Sequence, residues 1–322
     1  MSAPPDEFDW IAALRPLTRG APAALGLMDD AAVLPARPGF DLVISEDAMV
    51  EGVHFLAGED ASIVARRLLR TSLSDLAAKA AEPFGYTLTI AWPASRGWDE
   101  RMAFIRGLDH DGALYGVALL GGDTVSTPGP LTASATVFGW TPAGAVVRRS
   151  GALPGHALVI CGAIGDGGLG LKAARGELPD AEGRLAARYR LPEPLFGLRD
   201  ALRAHASAAA DVSDGLIADV LHIAEASLCG VALDLELMPV SEAGRAWVAG
   251  RKDRGQALLE LASGGDDYAI VCAAGDGEAL VRDAVACGTP AAVVGEFVAP
   301  PSLEVRLDGQ RLTPTRLGWR HG

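Results

Sequence analysis

Aspartates recur beside glycine or at the ends of predicted strands along this chain. Asp47 follows the apolar run LVIS, Asp123 ends LLGGD, and Asp266 follows Ser-Gly-Gly. Such positions can direct a carboxylate into a cleft, and acids held close together repel one another unless cations neutralise them. Oxygen ligands suit Mg²⁺ or Mn²⁺ and not zinc. The pattern therefore predicts metal binding, and the further acids in it are Asp29, Asp30, Glu46, Asp75, Asp211, Asp214 and Asp267.

Each acid also has a plainer interpretation. Asp29 and Asp30 could cap a helix ahead of AAVL, and either Ser213 or Asp214 could cap the helix LIADVLHIAEA. Asp75 within a helix would ordinarily lie on a solvated face. No single acid decides between these alternatives, and their joint recurrence beside glycine favours metal binding.

A glycine-rich segment, GDGGLG at 165–170, matches the G-x-G-x-x-G pattern of dinucleotide-binding loops. Asp166 would place a negative charge inside the pyrophosphate loop, and no clear strand ending in an acid follows about 20 residues later. A turn next to a phosphate, or a tight structural turn, is therefore favoured. The sequence holds no Walker A, protein-kinase, G-x-S-x-G or H-E-x-x-H signature.

The charge balance limits the partners of this protein. The 41 acidic residues outnumber the 28 basic residues, which gives a net charge of −13. So acidic a chain is a poor non-specific ligand for nucleic acid or an anionic membrane, and no apolar run is long enough to span a bilayer. The N-terminus lacks an apolar signal core, and the four cysteines form no C-x-x-C pair. We expect a cytoplasmic protein with reduced core cysteines.

Helical and strand patterns alternate along the chain and predict a mixed α/β fold. The turn-rich stretch at 141–155 predicts a boundary between an N-terminal domain, 1–140, and a C-terminal domain, 141–322. The predicted helices are 8–17, 60–81, 98–110, 167–175, 194–206, 215–228 and 277–287. The predicted strands are 40–45, 86–92, 117–122, 131–140, 156–162, 231–237, 268–274 and 291–297, with a hairpin turn at Asp308-Gly309.

Seven segments occur along the chain in this order: LMDDAAVL, VISEDAMVEGVHF, SLSDLAAKAAEP, LLGGDT, RRSGALPG, ADVSDGLIADVLHIAEAS and SGGDDYAI. Together they resemble the thiamine-monophosphate kinase family, which shares its fold with the ATP-dependent aminoimidazole ribonucleotide synthetases. The resemblance implies a two-domain fold in which the first domain binds metal and ATP and pairs two subunits, and the second completes the active site. It implies transfer of the ATP γ-phosphoryl group to thiamine monophosphate by a homodimer, with several Mg²⁺ ions.

The resemblance also implies residue roles, carried over segment by segment. It implies metal ligands at Asp30, Ser45, Glu46, Asp47, Asp75, Asp123, Asp211 and Asp214. Asp47, Asp75 and Asp123 would assist catalysis through metal, and no residue would be a general base. It implies ATP contacts at Gly122, Asp123, Arg149 and Ser213, and contacts to thiamine monophosphate at His54, Asp266 and Trp319.

Three positions depart from the family pattern. Glu46 stands where the family often has threonine, so a backbone contact could replace a side chain there. Asp266 stands where glutamate is usual, and VSTPGP follows GGDT where many members have an arginine. Outside the resemblance, His54 between apolar residues is more typical of a buried, hydrogen-bonded histidine, and Trp319 could equally be a buried anchor for the C-terminal tail.

The chemistry agrees with the residue types. A phosphate monoester is largely a dianion at neutral pH, so the acceptor needs no strong base and chiefly needs relief from repulsion between two polyanions. Two other interpretations stay open: another ATP-dependent enzyme of this fold, such as an aminoimidazole ribonucleotide synthetase, and a metal-binding scaffold without activity. The first cysteine is Cys161 and the chain ends in GWRHG, which argues against a selenophosphate synthetase and against a hydrogenase maturation protein with a cysteine-bearing tail.

Overall fold

The computed structural model describes residues 7–320, and these residues form two compact units. The N-terminal unit runs through Leu76 and resumes over Ala81–Gly144. The C-terminal unit contains Ala77–Ala80 and the described chain from Ala145 onward. Both α-helices and β-strands occur in each unit, which confirms the predicted mixed α/β class. Within the described range, no helix is long and apolar enough to cross a membrane.

A four-stranded sheet and two long helices make up most of the N-terminal unit. Its elements are α1 (Glu7–Leu14), β1 (Phe40–Val50), α2 (Ala61–Ala78), β2 (Glu82–Pro93), α3 (Trp98–Tyr115), β3 (Ala118–Thr127) and β4 (Thr132–Pro142). The strand order is β1-β4-β2-β3, with only the β2–β3 pair parallel. Buried and partly exposed residues alternate along β4, because one face of the sheet is covered and the other is open.

A buried ion-pair cluster joins α2 to α3. The Asp111 carboxylate on α3 is fully buried and accepts hydrogen bonds from Arg70 Nε at 2.5 Å and Arg66 Nε at 3.1 Å, both on α2. Burial alone would raise the pKa of Asp111, but the hydrogen bonds from Arg70 and the nearby positive charges lower it overall. The apolar stripe of α2, which includes Leu69 and Leu73, is also fully buried.

A seven-stranded sheet forms the centre of the C-terminal unit, in the order β11-β10-β7-β9-β5-β8-β6. Its elements are β5 (Ala157–Cys161), α4 (Asp166–Ala174), α5 (Arg184–Arg190), α6 (Arg199–His205), β6 (Ala206–Asp211), α7 (Leu216–Ala226), β7 (Gly230–Asp234), α8 (Glu242–Ala249), α9 (Arg254–Ala262), β8 (Ile270–Ala274), α10 (Gly277–Ala286), β9 (Ala291–Val298), β10 (Leu303–Leu307) and β11 (Gln310–Leu312). The predicted hairpin at Asp308-Gly309 joins β10 to β11 and is confirmed.

Several expectations need correction. The first strand continues to Val50, well past the predicted end at residue 45, so it carries Glu46 and Asp47 within the sheet. The predicted strand at 231–237 ends at Asp234 and is followed by a 3₁₀ turn, Leu235–Leu237. Cys287 is exposed, whereas the other three cysteines are buried as expected.

Candidate functional site

Three predicted metal ligands meet on β1 and α2 of the N-terminal unit. Ser45 and Asp47 lie two residues apart on β1 and so share one face of the strand. The Ser45 hydroxyl donates a 2.6 Å hydrogen bond to Asp75 Oδ2 on α2. Burial and the neighbouring charge of Asp75 raise the pKa of Asp47 to about 6, although a hydrogen bond from Ser72 opposes that shift. Two carboxylates therefore repel one another at a partly buried point of the sheet.

Glu46 presents its side chain on the opposite face of β1, because adjacent residues of a strand point to opposite sides. Its Oε1 atom accepts a 2.8 Å hydrogen bond from the Ser134 hydroxyl on β4. The structure thus does not place the Glu46 carboxylate with Asp47 and Asp75. A ligand role for Glu46 through its backbone stays a prediction.

Asp30 and Asp123 line one cavity of about 380 Å³ in the N-terminal unit. The cavity is bounded by β2, β3 and the segment that precedes β1, and both acids are exposed to it. Asp29 and Asp30 lie in a loop, and no helix follows them in residues 31–39. The helix-cap interpretation of these two acids is therefore wrong. Gly122 lies beside Asp123 with φ of 154°, and a Cβ there would come within 1.9 Å of the Leu88 carbonyl oxygen. The backbone packing at this wall of the cavity therefore requires glycine.

His54 lies in a turn directly after β1 and is half-buried. Its Nδ1 atom accepts a 3.1 Å hydrogen bond from the Val50 amide. The hydrogen-bonded histidine that the sequence favoured is therefore found, although the side chain is not fully buried. This bond does not test the predicted role of His54 toward substrate.

Three further predicted residues lie in the C-terminal unit, two in the loop between β6 and α7 and one at the end of β6. Ser213 and Asp214 precede Gly215, which is the cap residue of α7 and makes no side-chain cap. The alternative interpretation of Ser213 or Asp214 as a helix cap is therefore wrong. Asp211 is buried at the end of β6, directly before this loop.

Asp219, which the sequence argument missed, holds that loop. Its Oδ2 atom accepts hydrogen bonds from the amides of Ser213, Asp214 and Gly215 at 3.1, 3.1 and 3.2 Å. Burial and the charge of Asp214 raise the pKa of Asp219 to about 7. Asp214, Asp219 and His222 place one ligand atom each within 4.8 Å of one another. An acid in the first turn after a glycine was the available sequence signal.

The segment SGGDD meets the N-terminus of α4, where the glycine-rich segment lies. The buried Asp267 carboxylate accepts hydrogen bonds from the amides of Gly165 at 2.7 Å and Gly167 at 2.8 Å. These amides would bind a pyrophosphate in a dinucleotide site, and here a side chain of the protein occupies them. GDGGLG is therefore neither a free pyrophosphate loop nor a separate tight turn: Gly165 is the N-cap of α4, and the other five residues lie in the helix.

Asp266 has a left-handed backbone conformation with φ of 69°, and its Oδ1 atom accepts a 3.2 Å hydrogen bond from the Tyr268 hydroxyl. Trp319 is 47% exposed, so it is not a buried anchor. Its backbone amide nevertheless donates to the Asp214 carbonyl oxygen at 2.8 Å. The chain near Trp319 is thus tied to the β6–α7 loop. Arg149 is exposed and contributes positive charge near Asp219.

Comparison with known proteins gives one consistent result. Residues 28–141 match the N-terminal domain, and residues 154–308 the C-terminal domain, of AIR synthase related proteins. A thiamine-monophosphate kinase of Caulobacter vibrioides is 56% identical over 100% of this chain and 92% of its own length. A thiamine-monophosphate kinase of Salmonella typhimurium is 40% identical over 76% of this chain and 74% of its own length.

A solved structure agrees with the sequence relatives. The crystal structure of a thiamine-monophosphate kinase from Stenotrophomonas maltophilia superposes with a TM-score of 0.82 at 33% identity. The match covers 95% of this chain and 98% of that one. Both domain models, the full-length relative and the superposition therefore lead to one conclusion: this chain belongs to the thiamine-monophosphate kinase family of AIR synthase related proteins.

Proposed function

We propose that this protein transfers the γ-phosphoryl group of ATP to the phosphate of thiamine monophosphate, forming thiamine diphosphate and ADP. Family membership at 56% identity over the whole chain supports the reaction. The observation that carries the proposal in the structure is the facing carboxylate pair, Asp47 and Asp75, with burial and mutual repulsion raising the pKa of Asp47 to about 6. Such a pair is unfavourable unless a cation neutralises it.

The bond changes fit a site without a general base. The bond between the γ-phosphorus and the bridging oxygen breaks, ADP leaves with that oxygen, and an oxygen of the acceptor phosphate forms the new bond. That acceptor oxygen is already ionised at neutral pH, because the second pKa of a phosphate monoester is near 6. No proton has to leave it. What the protein must supply is alignment and positive charge between two polyanions.

Several Mg²⁺ ions would provide most of that charge. The donor set fits a hard cation, since the predicted ligands present carboxylate and hydroxyl oxygens and neither sulfur nor a histidine cluster. When bound, Mg²⁺ neutralises phosphate oxygens and holds them for in-line attack. In the N-terminal unit the ligands would be Asp30, Ser45, Asp47, Asp75 and Asp123, with Glu46 through its backbone, and in the C-terminal unit Asp211 and Asp214.

The remaining predicted residues would bind the two substrates. Gly122 and Asp123 would contact ATP at the wall of the 380 Å³ cavity, where Gly122 packs directly against the backbone of Leu88. Arg149 and Ser213 would contact the nucleotide from the C-terminal unit, and Ser213 lies in the loop that Asp219 holds. His54, Asp266 and Trp319 would contact thiamine monophosphate, and the 47% exposed Trp319 ring would stack on the thiamine.

A homodimer formed through the N-terminal unit completes the proposal. The open face of the four-stranded sheet exposes apolar side chains on β1, with Ile44 56% and Leu42 39% exposed. Phe84 stacks on Trp140 with ring centroids 5.4 Å apart, and both are only partly buried. Clustered apolar exposure of this kind is typical of a surface that another subunit covers. Cytoplasmic location stays a prediction from the sequence.

The experiment that tests the proposal compares acceptors. Labelled phosphate transfer from ATP is measured with thiamine monophosphate, with thiamine and with no acceptor, each at equal concentration and with Mg²⁺. Thiamine offers a neutral hydroxyl and loses several charge-assisted contacts, each worth about 1.5–3 kcal/mol, so we expect its rate to be lower by about a thousandfold or more.

Each other outcome identifies an alternative. Comparable rates with thiamine would mean that the site contains a base that this mechanism does not need. Turnover of ATP only with the substrate of an aminoimidazole ribonucleotide synthetase would favour the synthetase branch of the fold. No turnover with any acceptor would favour a metal-binding scaffold.

A further inference from the structure

A compact turn after β1 carries His54. The Gly52 amide donates to the Phe55 carbonyl oxygen at 2.8 Å, and the His54 amide donates to the Val50 carbonyl oxygen at 2.9 Å. Gly52 has φ of 82°, which allows the chain to reverse within these few residues. The Arg67 Nε atom on α2 donates to the His54 carbonyl oxygen at 3.2 Å. The backbone of His54 is therefore held from both sides.

The same turn fixes which ring nitrogen of His54 carries hydrogen. Nδ1 lies 3.1 Å from the Val50 amide nitrogen, and a backbone N–H can only donate. Nδ1 must therefore present its lone pair, and the hydrogen of the neutral imidazole must be on Nε2. An Nε2–H group can donate a hydrogen bond, but its nitrogen has no free lone pair. Nε2 of His54 therefore cannot accept a proton.

An ion pair between Glu51 and Arg96 anchors the ends of this turn. Glu51 Oε1 accepts from the Gly58 amide at 2.8 Å and from the Arg96 guanidinium at 2.7 Å, and Glu51 Oε2 accepts from the Leu131 amide at 3.3 Å. The side chains of Glu51 and Arg96 are only 16% and 8% exposed. The Glu51 carboxylate thus links the first residue of the His54 turn to Gly58 at its other end, and also to Leu131, directly before β4.

We propose that Glu51 and Arg96 are positioning residues that hold His54 as an Nε2–H donor to thiamine monophosphate, and that His54 accepts no proton during the reaction. The inference rests on the proposed function for the identity of the substrate, and on the hydrogen bonds of the turn for everything else. It gives His54 the task of binding an acceptor atom of the substrate and removes it as a candidate base. It also assigns functions to two residues outside the predicted site.

The first test reads the tautomer directly and needs no activity. Nitrogen-15 spectra of the whole protein with labelled histidine are recorded near neutral pH, and the His54 signals are identified by their loss in His54→Gln. We expect a hydrogen on Nε2 and none on Nδ1. A hydrogen on Nδ1, in either the neutral or the charged ring, would overturn the proposal.

The second test separates donor from base. In His54→Gln the side-chain amide still offers an N–H near the ε position and has no basic nitrogen, whereas His54→Leu offers neither. We expect kcat of His54→Gln to stay within about tenfold of the unchanged protein, and the KM for thiamine monophosphate of His54→Leu to rise about tenfold or more. A base would contribute about a hundredfold or more, so a loss of that size in kcat of folded His54→Gln would contradict the donor role.

The third test addresses the ion pair with a matched control. Glu51→Gln removes the buried partner of Arg96, and Glu100→Gln removes the 46% exposed partner of the same guanidinium, 3.1 Å away. We expect Glu51→Gln to raise the KM for thiamine monophosphate about tenfold while the KM for ATP changes less than about twofold. Glu100→Gln should leave both within about twofold. Equal KM values for thiamine monophosphate in the two variants would overturn the positioning role.

Arg96→Lys tests the same positioning role if Glu51→Gln does not fold. Lysine keeps the charge and loses the planar fork that reaches Glu51 and Glu100 together, so we expect a smaller rise in the same KM. An unchanged KM would count against the proposal. If the unchanged protein transferred no phosphate to thiamine monophosphate, the proposed function would fail, while the tautomer measurement would still decide whether the turn holds His54 as described.

Discussion

At the scale of single residues, Asp47 on β1 and Asp75 on α2 lie close enough to repel one another, and a bound cation would neutralise them. Ser45 donates to Asp75, and Ser72 donates to Asp47, yet burial still raises the pKa of Asp47 to about 6. Hydroxyl donors of this kind orient carboxylates without neutralising them. The repulsion between Asp47 and Asp75 therefore destabilises the folded protein without metal and favours the binding of a cation between them.

Replacing either carboxylate should separate activity from stability. We expect Asp47→Asn and Asp75→Asn to lower turnover by at least about a hundredfold at saturating Mg²⁺, because each removes a proposed metal ligand. Without metal, the melting temperature of both variants should equal or exceed that of the unchanged protein, because repulsion between the two acids is relieved. Steady-state kinetics and thermal melts in chelator measure the two effects.

The exposed Asp99, in the first turn of α3, provides the control. Asp99→Asn should keep its turnover. Near-normal turnover in either Asp47→Asn or Asp75→Asn would refute a shared metal site on β1 and α2.

Asp267 makes stability depend on pH in a predictable direction. Burial raises its pKa to about 8, against the lowering effect of the Gly165 and Gly167 amides. The ordinary pKa of aspartate is about 3.9, so the folded protein binds more protons than the unfolded chain between about pH 4 and pH 8. The contribution of this group to the free energy of unfolding must therefore fall as pH rises through that window.

We expect Asp267→Asn to weaken this pH dependence, measured by urea unfolding at pH 5 and pH 8. Asp253→Asn is the control, because asparagine caps α9 about as well as the Asp253 side chain that accepts from Gln256. An identical pH dependence in Asp267→Asn and in the unchanged protein would show that the carboxylate does not titrate in this window.

Residue types and order predicted which acids belong to the site, but not the residues that hold them in place. The sequence SDGLIAD led to the prediction of Asp214, while Asp219 appears as one more acid on a helix. Its function becomes visible only when the chain turns back and three amides converge on one oxygen. Glu51 was missed for the same reason, because its partners Gly58, Arg96 and Leu131 are distant in sequence.

At the scale of elements, α2 and α3 are joined by charge as well as by apolar packing. Asp111→Asn leaves Arg70 without its buried charged partner, so we expect a loss of about 3 kcal/mol in the free energy of unfolding. Asp109→Asn removes a partner of Arg19 that is 59% exposed and should cost less than about 1 kcal/mol. Denaturant melts of both variants provide the measurement, and equal losses would mean that burial of the Asp111 pair contributes nothing.

Sequence patterns predicted some helices, such as α2, and missed others, namely α5, α8 and α9. The helix predicted at 60–81 is present as Ala61–Ala78, because its apolar positions repeat at helical spacing and a proline follows. The strand β6 was missed, since ASAAAD is rich in alanine, the residue most favourable to helices. It becomes a strand because it pairs with β8 and is buried there, which no local preference indicates.

At the scale of the whole molecule, the open sheet face predicts association. We expect light scattering at micromolar concentration to give the mass of a dimer, with more than about 2,000 Å² buried between subunits. Ile44→Glu should shift the protein to monomer, because it places a charge on the apolar part of that face. Leu228→Glu, at an 87% exposed position of the C-terminal unit, should remain dimeric. A monomeric unchanged protein would remove the prediction.

The C-terminal unit is discontinuous along the chain, since it includes the four residues Ala77–Ala80. The Lys79 ammonium donates to the Ala209 carbonyl oxygen at 2.6 Å, and the Arg203 guanidinium donates to the Ala80 carbonyl oxygen at 2.6 Å. During synthesis, residues 77–80 leave the ribosome long before the strands of the C-terminal unit that they pack against. No single contiguous segment of the chain therefore contains the whole C-terminal unit. A C-terminal fragment that begins at residue 145 would therefore lack part of its own core, which includes Ala77, Ala78 and Ala80. Recombination between relatives should accordingly preserve function when residues 77–80 and the C-terminal half come from the same parent.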